Sequence, residues 1–261
     1  MNNSLSPPLD VKLMNLSALM LGLVFALLAL STLVTWLARQ PVFAIRSINV
    51  GGDVTHNNAV TLRANVAPHL SGTLLTVNLQ TAQHAFEAVP WVRQAVVRRE
   101  FPDRLRVQLQ EHQALAFWGA EGDAKLVNSF GEVFEANPGE VEQETLPSLN
   151  GPEGQAAAVL AMYQMLQPQF ETTGLTVELL ELSVHGSWRA RLEGGALIEL
   201  GGGSAAQVLA RLQRFLKTLT QVSARYGRRL DDLETADLRH QDGYAIRLRG
   251  VTTLVPDGAK K

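Results

Sequence analysis

The stretch PWVRQAVVRREFPDRLRVQLQEH, residues 90–112, decides the fold of the first half of the chain. Val92–Glu100 reads as a strand, and Leu105–Glu111 alternates, with Leu105, Val107 and Leu109 on one face. Phe101-Pro102-Asp103-Arg104 between them is turn chemistry, so the two strands form an adjacent pair. Upstream, a helix over Leu79–Val89 has to stop at Pro90, which removes a backbone donor. Further back, Val60, Ala64 and Ala67 recur at helical spacing within Asn57–His69, and Gly72 closes that segment. Ala44–Val50 alternates again, Ile48 and Val50 against Ser47 and Asn49, until Gly51-Gly52-Asp53 ends the strand. The order β-α-α-β-β over roughly 70 residues makes a small but foldable unit.

Beyond Glu111 the texture changes to short strands separated by turn signals. Ala114–Gly119, Lys125–Asn128 and Glu132–Glu135 are the first three, with Gly131 breaking the last two apart. Pro138-Gly139 and Asn150-Gly151-Pro152 mark loops, and a helix follows near Gln155–Leu166. Thr176–Ser183, Trp188–Leu192 and Ala196–Leu200 read as strands. Ser204–Ser223 is the clearest amphipathic helix, with Val208, Leu212, Phe215, Leu219 and Val222 on one face and Ser204 as its N-cap. Two last strands lie near Leu233–Leu238 and Tyr244–Leu248, and Pro256–Lys261 has the look of a disordered tail.

Residues 13–38, between Lys12 and Arg39, carry no charge and are rich in Leu, Ala, Val and Met. A helix of that length spans about 39 Å at 1.5 Å per residue, enough to cross a bilayer core. Trp36 stands where an interfacial anchor belongs. A cleaved signal peptide would have an apolar region of only about 7–15 residues after a more basic leader, so the segment reads as an uncleaved anchor. Lys12 against Asp10 on one side, and Arg39 and Arg46 on the other, leave the orientation open by charge.

The 261 residues are 46% hydrophobic, and 23 basic against 25 acidic side chains give a net charge of −2. That balance argues against a nucleic-acid partner. The absence of cysteine removes disulfides, thiolate metal sites and cysteine nucleophiles. His56, His69, His84, His112, His185 and His240 show no zinc-ligand spacing. Ser183-Val184-His185-Gly186-Ser187 lacks the frame of a nucleophile elbow and reads as a turn. Gly201-Gly202-Gly203-Ser204 lacks the lysine of a phosphate loop and reads as a turn capping the next helix. Asp231-Asp232 and Glu140–Glu144 are solvated loop charge. A tethered hydrolase would need a clustered nucleophile and base or a metal site, and neither is present in the sequence.

Two features point to binding instead. Arg93, Arg98, Arg99, Arg104 and Arg106 crowd two adjacent strands, so several should share one surface that could dock a partner or lipid headgroups. Tyr244–Leu248, late in the chain, is a candidate edge strand whose free N–H and C=O groups would accept a strand from another chain.

The ordered pieces FAIRSINVGGDVTH, PWVRQAVVRREFPDRLRVQLQEH, LVNSFGEVF, LPSLNGPEG, GSWRARLEGGALIELG, RLQRF and DLRHQDGYAIRL, after an apolar anchor, resemble the FtsQ/DivIB family of bacterial cell-division proteins along nearly the whole chain. The resemblance implies an α+β fold in five parts. These are a cytoplasmic tail (1–12), a single transmembrane helix (13–38), a β-α-α-β-β POTRA domain (43–112), a β-domain (113–250) and a flexible tail (251–261). The β-domain would be a mixed α/β domain with an extended, mainly antiparallel sheet and packed helices. It further implies an inner-membrane protein with its main domains periplasmic, acting at the division septum as a non-catalytic scaffold with no cofactor and no small-molecule substrate. Its partners would be FtsB and FtsL, alongside other divisome proteins.

Site residues follow from the same resemblance. Arg239, His240, Asp242, Gly243, Ala245 and Leu248 would receive a strand from FtsB. Arg239 would pair with an acidic partner residue, and Leu248 and the stem of His240 would give apolar contact. Gln94, Val97 and Arg99 would form a recruitment patch. The chain departs from a well-known branch at Gly186, where that branch has arginine, and at His240 and Leu248, where it has an aromatic pair. The competing reading is a POTRA-bearing periplasmic chaperone or transport component, which would usually carry a pore or repeated POTRA units.

Overall fold

The computed structural model describes residues 9–120, 122–141, 146–240 and 243–251. The start of the segment expected to be a cytoplasmic tail, Asp242 and the residues from 252 onward lie outside the described residues. The chain divides into two compact units, one ending at Glu111 and one beginning at His112.

The first unit starts with helix α1, Leu9–Ala38, 30 residues and about 45 Å long. From Leu13 on its leucines, Phe25 and Trp36 are exposed all round, and none of the span is buried against protein. A helix apolar on every face with no protein partner is built for lipid. Three of its hydroxyls are turned back onto the helix backbone. Ser17 donates to the Met14 carbonyl, and the Thr32 and Thr35 hydroxyls donate to carbonyls three and four residues back at 2.7–2.9 Å.

After a short turn the chain forms β1 (Ser47–Gly52), α2 (Ala59–Val66), α3 (Leu79–Glu87), β2 (Val92–Glu100) and β3 (Arg104–Glu111). The sheet order is β1-β3-β2, with β1 parallel and β2 antiparallel to β3. The predicted β-α-α-β-β order is present. Asn58 and Asn78 cap the two helices by accepting from the second and third following amides. The core face of α2 differs from the one predicted. Leu62 and Val66 are buried with Phe86, Val92, Ala95, Val107 and Leu109, whereas Val60 is 79% exposed. Alanines at positions 64 and 67 carried the helical period but too little apolar area to set the face.

At the far end of β3 the Glu111 side chain, 5% exposed, accepts from the amides of Thr55, His56 and Asn57 at 3.0–3.1 Å. Asn57 Nδ2 and His56 Nδ1 add two more contacts, and the His56 ring stacks on Trp91 at 3.9 Å. Burial pushes this carboxyl up, but the hydrogen bonds from His56 and Asn57 outweigh it and hold it below the ordinary value. A depressed carboxylate stabilises the fold above its unfolded pKa, and that contribution disappears as pH falls through the folded value. The first unit should therefore lose stability below about pH 4, and Glu111→Gln should flatten that dependence while lowering stability at neutral pH. Urea midpoints measured across that window check it, and parallel slopes for both proteins would refute it.

The second unit is built on one nine-stranded sheet. Its strands are β4 (Ala114–Trp118), β5 (Lys125–Asn128), β6 (Val133–Glu135), β7 (Ser148–Asn150), β8 (Val177–Leu182), β9 (Ser187–Leu192), β10 (Leu197–Gly202), β11 (Leu233–Asp237) and β12 (Ala245–Leu248). They lie in the order β12-β11-β10-β9-β8-β7-β4-β5-β6. Pairing is antiparallel except at β10/β11, β7/β8 and β4/β7. Three-residue β7 falls where the sequence indicated only a loop. Helices α4 (Ala156–Glu171) and α5 (Ala205–Arg225) cover one face, burying Val159, Leu166, Phe170, Val208, Leu212, Phe215 and Leu219. Ser204 closes a capping box with Gln207, as the N-cap reading required. Leu216 and Ser223 join the buried face of α5, while Val222 is only half-buried.

The opposite face carries charge. Arg189 bridges Glu181 at 3.6 Å and Glu199 at 2.7 Å across three strands, and Arg191 meets Glu178 at 3.3 Å. Such exposed pairs contribute little to stability, on the order of a few tenths of a kcal/mol each. They do keep the face wet.

Candidate partner-binding edge

β12 ends the sheet, and among the described residues its only strand neighbour is β11. The register pairs Ala245 with Asp237, Ile246 with Ala236, Arg247 with Thr235 and Leu248 with Leu233. Ala245 and Arg247 point to the charged face, where Arg247 meets Glu234 at 3.0 Å. Ile246 packs half-buried against the core, and Leu248 is 4% exposed within it. The strand is held at both ends. Tyr244 sets its hydroxyl 2.7 Å from Thr218 Oγ1 on α5 and its ring edge-on to Phe215 at 5.0 Å. Beyond the strand, the Arg249 amide donates to the Asp232 carbonyl, and Arg228 donates to the Gly250 carbonyl. A strand fixed on one side, with no strand on the other, is preorganised for β-addition.

Arg239 and His240 follow β11 at the same end. Arg239 is folded onto its own chain. Its Nε donates to Asp237 Oδ1 at 2.9 Å, Nη2 to Oδ2 at 2.6 Å, and its backbone amide to Oδ1 at 3.0 Å. The Arg239 hydrogen bonds hold the Asp237 carboxyl down at about 2, and Asp237 in turn raises the guanidinium. Asp237 was not among the site residues read from the sequence, although the Asp-Leu-Arg spacing put both side chains on one side of an extended chain. His240, Gly243 and Ala245 are exposed, and Asp242 falls outside the described residues. Leu248 sits apart from this group, in the protein's own core. Gly186 occupies the β8–β9 turn at φ 76°, with open space around it.

The other proposed patch does not share one face. Gln94 lies on the open face of the small sheet, opposite Gln110. Val97 and Arg99 pair with Val107 and Leu105 on the helix-covered face. Arg99 Nε donates to the Leu74 carbonyl at 2.6 Å and Nη2 to the Val77 carbonyl at 2.8 Å, so this arginine ties a strand to a loop. Of the arginines expected to form one surface, Arg98, Arg104 and Arg106 do share the open face, and Arg93 reaches Gln110.

Residues 43–112 match the POTRA domain of FtsQ type, and residues 116–239 match the C-terminal domain of cell division protein FtsQ/DivIB. Cell division protein FtsQ of Thiomonas arsenitoxydans is 41% identical across 94% of this chain and 89% of its own length. The FtsQ of Burkholderia pseudomallei is 40% identical over 97% and 99%. The chain belongs to the FtsQ/DivIB family. The FtsQ of Bordetella pertussis is similar at 33% identity over 92% of both chains. Within this family residues 43–112 are the POTRA domain, the second unit is the FtsQ/DivIB C-terminal domain with β12 beyond its matched residues, and α1 is the one helix among the described residues long and apolar enough to be the membrane anchor. The family's place is cell division, with divisome proteins as partners.

Proposed function

We propose that this FtsQ-family protein is a non-catalytic scaffold of the inner membrane, with a cytoplasmic N-terminus and its two folded units in the periplasm. At the septum it binds FtsB and FtsL, links early to late division proteins and regulates septum assembly. One observation carries this reading: among the described residues β12 is the terminal strand, braced at both ends and paired on one side only. An extended segment of FtsB would add there by main-chain hydrogen bonds, each worth about 0.5–1.5 kcal/mol net. Titrating a periplasmic FtsB segment into the detergent-solubilised full chain, with amide exchange read over 244–248, tests it. Saturable binding that slows exchange there is expected, and binding without protection of β12 would refute it.

In this reading Asp237 is an internal rival for Arg239. A carboxylate on the partner has to displace it or share the guanidinium. Asp237 stays ionised down to about pH 2, so the rival persists at every physiological pH. Asp237→Asn should then tighten FtsB binding by about threefold to tenfold, the size of one charge-assisted contact at an exposed site. Equal affinities by calorimetry would show that Arg239 plays no part.

A further inference from the structure

The first unit meets the membrane at an end whose chemistry is unlike its other end. α1 is about 45 Å long, the thickness of a bilayer with its headgroups, so its last turn, with Trp36 63% exposed, lies at headgroup level. The last residue of that helix is bonded to the domain that follows. Thr73 Oγ1 donates to the Ala38 carbonyl at 2.7 Å, and the next residue, Leu74, receives the Arg99 guanidinium near the end of β2. The Arg46 amide donates to the Asp103 carbonyl at 2.9 Å, which joins the chain leaving the anchor to the β2–β3 turn. The anchor's end, the Thr73 loop and the β2–β3 turn are thus held together by hydrogen bonds.

At this end Val42 and Phe101 are each 63% exposed and Leu75 is 38% exposed. Around them stand Arg39, Arg46 and Arg104, with Arg98 and Arg106 two residues further along the open face. Among the described residues, Asp103 and Glu100 are the carboxylates paired with this group: Arg46 and Arg104 share Asp103 at 3.8 and 3.7 Å, and Arg106 takes Glu100 at 3.1 Å. The acidic groups Asp53, Glu87 and Glu111 belong to the opposite end of the strands, where Asp53 and Glu111 follow or close β1 and β3. Exposed apolar tips flanked by guanidinium groups in excess of their carboxylate partners match a surface of phosphates over acyl chains.

We infer that this rim, centred on Phe101 with Arg46 and Arg104, rests on anionic phospholipid headgroups and fixes the POTRA domain against the bilayer. The inference rests on α1 being a membrane span. Phe101, Val42 and Leu75 dip into the headgroup layer while the arginines take lipid phosphates. The attraction acts over roughly 8 Å at physiological salt, so it is felt by the rim and not by the acidic end.

The chain has no cysteine, so single-cysteine labels report without background. The full-length protein is placed in nanodiscs of phosphatidylcholine, with or without phosphatidylglycerol, containing lipids spin-labelled at the headgroup or in the acyl chain. A fluorophore at Phe101→Cys should be quenched by headgroup nitroxide at least about twofold more in phosphatidylglycerol discs than in phosphatidylcholine alone. The same label in an R46E/R104E background should lose that difference. A label at Val54→Cys, at the acidic end, should stay unquenched. Quenching at Phe101 no greater than at Val54, or equal in both lipids, would overturn the inference. A label at Phe25→Cys reads the span separately. Deep acyl-chain quenching there confirms it, and its absence would overturn the anchor reading and the rim with it.

Discussion

Leu248→Asp is expected to unfold the end of the second unit rather than merely weaken a binding contact. Leu248 is 4% exposed, lies opposite Leu233 at 1% exposed, and shares the core with Phe215 and Leu219. Truncation of such a leucine to alanine already costs about 2–5 kcal/mol. A carboxylate with no partner at that place adds desolvation on top. Against a whole-domain stability of about 5–15 kcal/mol, the melting midpoint should fall by on the order of 10 °C or more. Thermal melts of the full chain followed by far-ultraviolet circular dichroism measure it. An unshifted midpoint would mean that Leu248 is not part of the core in solution. The family resemblance gave this residue to the partner, yet in this chain the inward alternation of β12 assigns it to the protein itself.

Ala245→Pro should do the reverse, leaving the fold intact and removing the partner. Ala245 is exposed and is the first residue of β12, a place where a strand tolerates proline. The ring fixes φ, deletes one donor and obstructs an approaching strand. Affinity for a periplasmic FtsB segment should drop by about tenfold or more, equivalent to ~1.4 kcal/mol, with a melting temperature within about 2 °C of the parent. If affinity stays within about twofold, strand addition at β12 is wrong and another surface has to be sought.

Much of the fold was legible because the signals were local. Pro90 and the alternation of Leu105, Val107 and Leu109 fixed the β2–β3 pair, and the stripe on α5 from Val208 to Leu219 marked its buried side. Three-residue β7 was not legible, since Ser148–Asn150 is too short for a period and is a strand only because β4 and β8 flank it. α4 ran past the expected end at Leu166 and through Pro168, because Phe170 is fully buried and the core holds the last turn in place. At the candidate edge the family resemblance pointed to Arg239 and Ala245 as partner contacts; the Asp237 clasp follows from local spacing, whereas the burial of Leu248 depends on register across β11 and β12. Arg99 was misplaced for a similar reason. It stands on the apolar side of β2 and bonds two carbonyls that lie more than twenty positions earlier in the chain.

The cross-strand row of Glu181, Arg189 and Glu199 has a bearing on crowding. A protein confined to two dimensions meets its own kind often, and a bare β-sheet surface would invite sheet-upon-sheet stacking. Paired ions on that side make stacking costly, because each would have to shed water, so traffic is turned toward the sheet's rim. Neutralising the whole row, as with E181Q/R189Q/E199Q, would be expected to appear first as off-target clustering in the bilayer plane, before any loss of folding or of the proper partner.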